Sequence, residues 1–191
     1  RCCYMATTDG NLAAQKKIAA QILMQTGAIP RKVWGAREPV RPLTTDWNYD
    51  SVVVHYSGHG SYPNMTSIQS FDLEHRHWDD IAYHYAIFPD GRIYEGRELY
   101  FEGSHIKLQN KGKLGIVCVG NFDRNILNFF HGIEYSGQTV PKEIVASLKR
   151  LSSALMTYFP IKYFGGHKEY GYSATCPGSS LLPVVDDLRK Q

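Results

Sequence analysis

Apolar residues recur along the chain at three different spacings. In DGNLAAQKKIAAQILMQTG, Leu12, Ile18 and Ile22 return at helical intervals behind Asp9, and Gly27 ends the run. The pattern predicts a helix capped by Asp9, lying ahead of the main body. SVVVHY and KLGIVCVGNF are short, nearly unbroken apolar runs rich in β-branched residues, which predicts strands buried on both faces. IAYHYAIFPDGRIYEGR alternates instead, and reads as two strands joined at Pro89-Asp90-Gly91. MTSIQSFDLEHR has the pattern of a short amphipathic helix. PKEIVASLKRLSSALMTYF sets Ile144, Leu148, Leu151 and Leu155 on one helical face, with Pro141 in the first turn. KYFGG predicts a last strand and SSLLPVVDDLRK a closing helix. Strands alternate with helices throughout, so the expected class is α/β: a central mixed β-sheet flanked by helices.

Composition narrows the function classes. With 191 residues, no internal repeat and no linker, the chain suits one medium-sized body able to bury its own core. Apolar residues at 43% and charged residues at 20% exclude disorder for its bulk. The net charge of +3 is spread along the sequence and forms no nucleic-acid-binding stripe. No apolar run approaches the roughly 20 residues that span a bilayer. The chain starts at Arg1 rather than Met, which leaves room for a signal peptide, propeptide or larger upstream region. Cys2 and Cys3 are neighbours whose Cα atoms, ~3.8 Å apart, are too close for a disulfide with each other. Cys118 falls mid-strand and reads as core.

GGHKEYGYSATCPG places His167 and Cys176 nine positions apart among glycines, tyrosines and small polar residues. His55 ends the buried strand SVVVH ahead of a small-residue loop, much as His167 follows KYFGG. Strand ends are where a scaffold fixes side chains beside open space. Two imidazoles and the Cys176 thiolate would make a three-ligand set with a fourth position for water, the pattern of a catalytic rather than a structural zinc. A hydrogen-bonded surface histidine at a strand end is the competing reading, and His59 competes with His55 from the same loop. Spacing by itself leaves both open. His84 alternates away from Tyr83 and reads as core or as support for the site; His75, His77 and His131 read as surface. The aromatic-rich insertion NILNFFHGIEYSGQT, residues 125–139, reads equally as a groove wall, a partner contact or a packed loop.

KVWGAREPV, VVVHYSG, WDDIAYHYAIFPDGRIYEGR, GSHIKLQN, LGIVCVGNF and GHKEYGYSATCPG follow one another in an order that resembles the type 2 N-acetylmuramoyl-L-alanine amidases. That family includes the peptidoglycan recognition proteins and the amidase lysozymes of phages. The resemblance runs from about Trp34 to the C-terminus. It divides the chain into an N-terminal helical extension, 1–30, and a catalytic domain, 31–191. It implies one Zn2+ ion held by His55, His167 and Cys176, and cleavage of the amide between the lactyl group of N-acetylmuramic acid and the L-alanine of the stem peptide. It also implies that Tyr83 stands beside the attacking water and that His105 and Asn110 line the substrate groove.

Two departures stand out against that resemblance. Members commonly carry lysine or threonine two residues before the cysteine; here Ala174 lies there, between Ser173 and Thr175, and the histidine-to-cysteine spacing is one residue longer. A bulged loop would let Thr175 or Ser173 take the catalytic role, with Thr175 the candidate. The histidine that frequently follows the first ligand is Tyr56. The resemblance implies peptidoglycan or muropeptides as the partner and an extracellular or periplasmic site of action. If the protein were delivered as a toxin, a cognate inhibitor protein would accompany it. A non-catalytic peptidoglycan-binding receptor is the alternative; such members usually lack the cysteine that Cys176 supplies here.

Overall fold

The strand SVVVHY organises everything around it, because a run buried on both faces has to lie between other strands and under helices on either side. In the computed structural model, which describes residues 8–58, 62–123, 139–171, 173 and 175–190, this is what it does. The elements in chain order are α1 (Thr8–Thr26), α2 (Arg31–Trp34), β1 (Ser51–Tyr56), α3 (Met65–Ser70), β2 (Tyr85–Ile87), β3 (Ile93–Glu95), β4 (Lys113–Cys118), α4 (Lys142–Tyr158), β5 (Tyr163–Gly166) and α5 (Leu182–Arg189). They build a five-stranded sheet in the order β3-β2-β4-β1-β5. β1 runs parallel to β4 and β5, β2 runs parallel to β4, and only β3 is antiparallel, paired to β2 through the expected turn. The mixed sheet flanked by helices matches the fold class read from the sequence.

Side-chain alternation sorts the strand residues into two layers. Val52 and Val54 of β1, Leu114, Ile116 and Cys118 of β4, and Tyr85 and Ile87 of β2 enter one core. On that side lie Ile144, Leu148, Leu151 and Leu155 of α4, all fully buried, with Val185 and Leu188 of α5. The other face packs Ala86, Phe88, Val117 and Val119 against Met65 and Ile68 of α3. Val53 and His55 lie on β1 out of phase with Val52 and Val54, so His55 is directed away from the larger core.

α1 is joined to this body. Ala19 and Ile22 enter the same core as α4, and Gln25 Nε2 donates to the Tyr158 hydroxyl at 2.9 Å. Burial is greatest toward its C-terminal end: Ile18 is partly buried, whereas Leu12 is exposed. Asp9 lies within the described helix, Thr8–Thr26, rather than at its cap. Gly27 ends it with φ at +66°, a conformation that costs a residue without Cβ nothing. The stretch expected to be one helix over residues 65–76 changes character at Phe71: Arg76 N–H reaches back five residues to the Phe71 carbonyl, a π-helical turn over Phe71–His75.

Both edges of the sheet are occupied. Ile29 lies alongside β3, donating to the Ile93 carbonyl and accepting from Glu95 N–H at 2.8 and 2.9 Å. At β5, Arg189 donates to the Phe164 carbonyl at 2.7 Å and Glu169 accepts from Gly166 N–H at 3.1 Å.

His84, the core or supporting histidine of the sequence reading, is fully buried. Its Nδ1 accepts from Gly115 N–H and its Nε2 donates to the Phe101 carbonyl, each at 3.0 Å. Burial pulls its pKa down from 6.5 to about 4. The unfolded chain therefore binds a proton near 6.5 that the folded chain refuses until about 4, so stability falls as the pH drops through that window. The expected size is on the order of 3 kcal/mol. Urea midpoints between pH 7 and pH 4 should fall, and fall less steeply in His84→Gln.

Candidate metal centre and groove

His55 is the penultimate residue of β1, and His167 follows directly on β5, the strand beside it. Parallel pairing thus brings both imidazoles to one end of the sheet, the carboxyl end where open α/β sheets hold their ligands. Cys176 returns in the next loop. Its N–H donates to Ser173 Oγ at 3.1 Å, and its carbonyl accepts from Lys168 N–H at 2.8 Å. The metal-ligating atoms of His55, His167 and Cys176 all lie within 4.8 Å of one another, and Cys176 Sγ is 3.7 Å from His55 Nδ1. No other such group occurs among the described residues. The loop can come this close because Gly166 has no side chain: a Cβ there would stand 2.5 Å from Pro177 Cδ.

The chemistry of these donors suits a cation. Burial holds both histidines below their usual pKa, His55 far below, with His105, His167 and the Arg76 charge adding to the effect on His55. They are neutral, as metal ligands must be. Burial pushes the Cys176 thiol up to about 12, opposed by the Tyr56 N–H beside it; a dication held there would reverse that balance and favour the thiolate. His167 Nε2 is buried without a hydrogen-bond partner. An orphaned buried nitrogen is costly, and a metal ion would satisfy it. Two nitrogens and one sulfur, with no fourth protein donor in the set, form the donor class of a tetrahedral zinc with one open position.

The set lies at the base of a groove of about 810 Å3 whose walls include Tyr83, Arg76, Trp78, His105, Leu108 and Asn110. The Tyr83 ring stands 5.1 Å from the His55 ring. Burial, with the Asp72 charge behind it, raises its pKa, so it remains a phenol and a hydrogen-bond donor. Arg76 stacks over Trp78 at 4.5 Å and lies 3.5 Å from Asp72. Leu108 is 84% exposed and holds φ at +60° on the groove rim, strain of the kind found where chains bind ligands.

Of the residues singled out from the sequence, His55, His167, Cys176, Tyr83, His105 and Asn110 converge on this groove. Thr175 is exposed beside it, its hydroxyl 3.1 Å from that of Tyr56, which does line the groove. Ser173 is engaged with the Cys176 N–H. His75 and His77 are exposed and Cys118 is core, as read from the sequence. His59, Ala174, His131, Cys2, Cys3 and residues 125–138 of the aromatic insertion lie outside the described residues. Arg76 and Trp78 also line the groove, although neither is singled out in the sequence reading above; a tryptophan among charges in RHWDD is the available signal. Tyr56, a departure from the family pattern, also forms part of the wall.

Residues 43–179 match the model of the N-acetylmuramoyl-L-alanine amidase family. The chain belongs to that family. Its relatives include peptidoglycan-recognition protein SC2 of Drosophila melanogaster, 29% identical across 85% of this chain and 86% of that one. An N-acetylmuramoyl-L-alanine amidase of Sus scrofa is 31% identical over 82% of this chain, which spans 26% of that longer protein. Among solved structures, the endolysin amidase LysCS of Clostridium intestinale superposes with a TM-score of 0.66 at 26% identity, covering 84% of this chain and 94% of that one. Drosophila peptidoglycan recognition protein SD shares the fold at 22% identity, with a TM-score of 0.68 over 82% of this chain and 91% of its own.

The amidase-family groove depends on how closely the cysteine loop seats on β5. Gly166→Ala should push Pro177 outward and carry Cys176 away from His55, weakening metal binding by at least about tenfold. Equilibrium dialysis against zinc, with far-UV dichroism to confirm the fold, checks this.

Proposed function

We propose that the protein is a zinc-dependent N-acetylmuramoyl-L-alanine amidase that hydrolyses the amide between the lactyl group of N-acetylmuramic acid and the L-alanine of the peptidoglycan stem peptide. The observation that carries the proposal is the convergence of His55, His167 and Cys176 within 4.8 Å at the base of a groove. Family membership supports the reaction class. Bound there, zinc would supply a nucleophilic water at neutral pH and polarise the scissile carbonyl.

The chain's own residues do the rest. Tyr83, held as a phenol by its burial, donates a hydrogen bond to the oxygen on which negative charge develops. Arg76 lends positive charge to the same wall, fixed between Asp72 and the Trp78 ring. Thr175 acts on the groove through the hydroxyl of Tyr56, taking up part of the role left open by Ala174. His105 and Asn110 belong to the wall that receives the substrate. Residues 31–191 form the catalytic domain, and the extension over 1–30 contributes α1 to its core.

Muropeptides or intact peptidoglycan are the substrates in this reading, and the site of action is the cell wall, outside the cell or in the periplasm. No helix among the described residues is long and apolar enough to cross a membrane. A receptor that binds peptidoglycan without cleaving it is the second reading, favoured by the peptidoglycan-recognition proteins among the relatives. Cys176 beside both histidines weighs against it.

Incubation with purified peptidoglycan, followed by mass spectrometry, separates the two. Release of stem peptides with a free L-alanine amine, abolished by a zinc chelator and by His167→Ala, is the expected result. Retention on the wall with no released peptide would make the protein a receptor. Tyr83→Phe should keep its metal and lose roughly 100-fold or more in kcat, the usual scale for one oxyanion donor.

A further inference from the structure

His105 borders the groove, yet the residue is only 6% exposed and its ring is turned into the protein. The ring occupies a slot made by two glycines. A Cβ on Gly103 or on Gly115 of β4 would come within 2.5 Å of His105 Cδ2. The backbone beneath it is pinned by Asn110, whose Oδ1 accepts from the N–H groups of His105 and Ile106 at 2.8 and 2.7 Å. In this slot His105 Nε2 lies 3.2 Å from the Lys113 carbonyl at the start of β4, and His105 Nδ1 lies 3.0 Å from His55 Nε2.

Only one proton arrangement makes both contacts hydrogen bonds while leaving His55 able to ligate. A carbonyl can only accept, so His105 Nε2 carries the proton. In a neutral imidazole that makes Nδ1 the acceptor. His55 must then donate from Nε2, which leaves the Nδ1 lone pair directed at the side where Cys176 Sγ sits, 3.7 Å away. From this chain of contacts we infer that His105 is a positioning residue for the metal centre: it sets the tautomer and orientation of His55, passing the constraint of the β4 backbone to the ligand. A metal-bound histidine whose second nitrogen is left unheld typically loses affinity for its ion.

This inference rests on the metal reading above, and its test keeps the two apart. Zinc affinity is measured on the full chain by competition against a chromophoric chelator, for the wild type, His105→Leu and His105→Gln. Wild type should bind one equivalent, and His105→Leu should bind about 10- to 100-fold more weakly. His105→Gln should recover part of the loss, since its carboxamide oxygen can still accept from His55 Nε2. Equal affinity in wild type and a folded His105→Leu overturns the inference and leaves the metal site standing. No zinc binding by the wild type overturns the metal reading, and this one with it. Should His105→Leu fail to fold, 15N NMR of the metal-free wild type decides: a proton on His55 Nε2 supports the inference, and one on Nδ1 overturns it.

Discussion

The parallel register of β1 between β4 and β5 is the constraint from which the candidate site follows. It pairs His55 with Val117 and ends β5 one residue short of His167, so both imidazoles meet at the same end of the sheet. It also settles which face each side chain takes. A slip of one residue would drive His55 into the aliphatic core beneath α4 and expel Val54. The core therefore specifies the site: the four fully buried aliphatic side chains of α4 help hold the register that holds the ligands.

Much of this was legible in the chain because hydrophobic periodicity reports burial. The unbroken run of SVVVHY, the stripe of Ile144, Leu148, Leu151 and Leu155, and the Pro89-Asp90-Gly91 turn each have a single structural solution. His55 and His167 were legible as strand-end residues, although joining them to Cys176 required the order of six separated blocks. What stayed hidden depends on contacts distant in sequence. Nothing in GSHIKLQN says that the His105 ring turns inward, because the slot that receives it is completed by Gly115 on another element. The widening of the helix at Phe71, which sets Asp72 and Arg76 in place beside the groove, leaves no mark in a pattern that reads as one continuous helix. α1 is a weakly amphipathic helix whose attachment is decided by α4 rather than by its own sequence.

The donor set has a further electrostatic meaning. It contains no carboxylate: Asp72, the acid behind Tyr83, accepts from Ala82 N–H and faces Arg76. In the proposed reading a dication balanced by a single thiolate leaves the base of the groove positive, and Arg76 adds to it from the wall. Such a field favours an oxygen that gains negative charge over the neutral amide it came from. It also suits a substrate whose peptide carries carboxylates.

The sheet edges bear on how any such substrate is read. A stem peptide is a short extended chain, and extended chains commonly dock by adding themselves to a sheet as one more strand. Here Ile29 already takes the outer hydrogen bonds of β3, while Arg189 and Glu169 take up backbone groups of β5. These contacts already engage the described backbone groups of both edge strands that a guest strand would use. In the proposed reading, discrimination among wall peptides falls to the side chains of the groove, where one substitution can retune preference without disturbing the sheet.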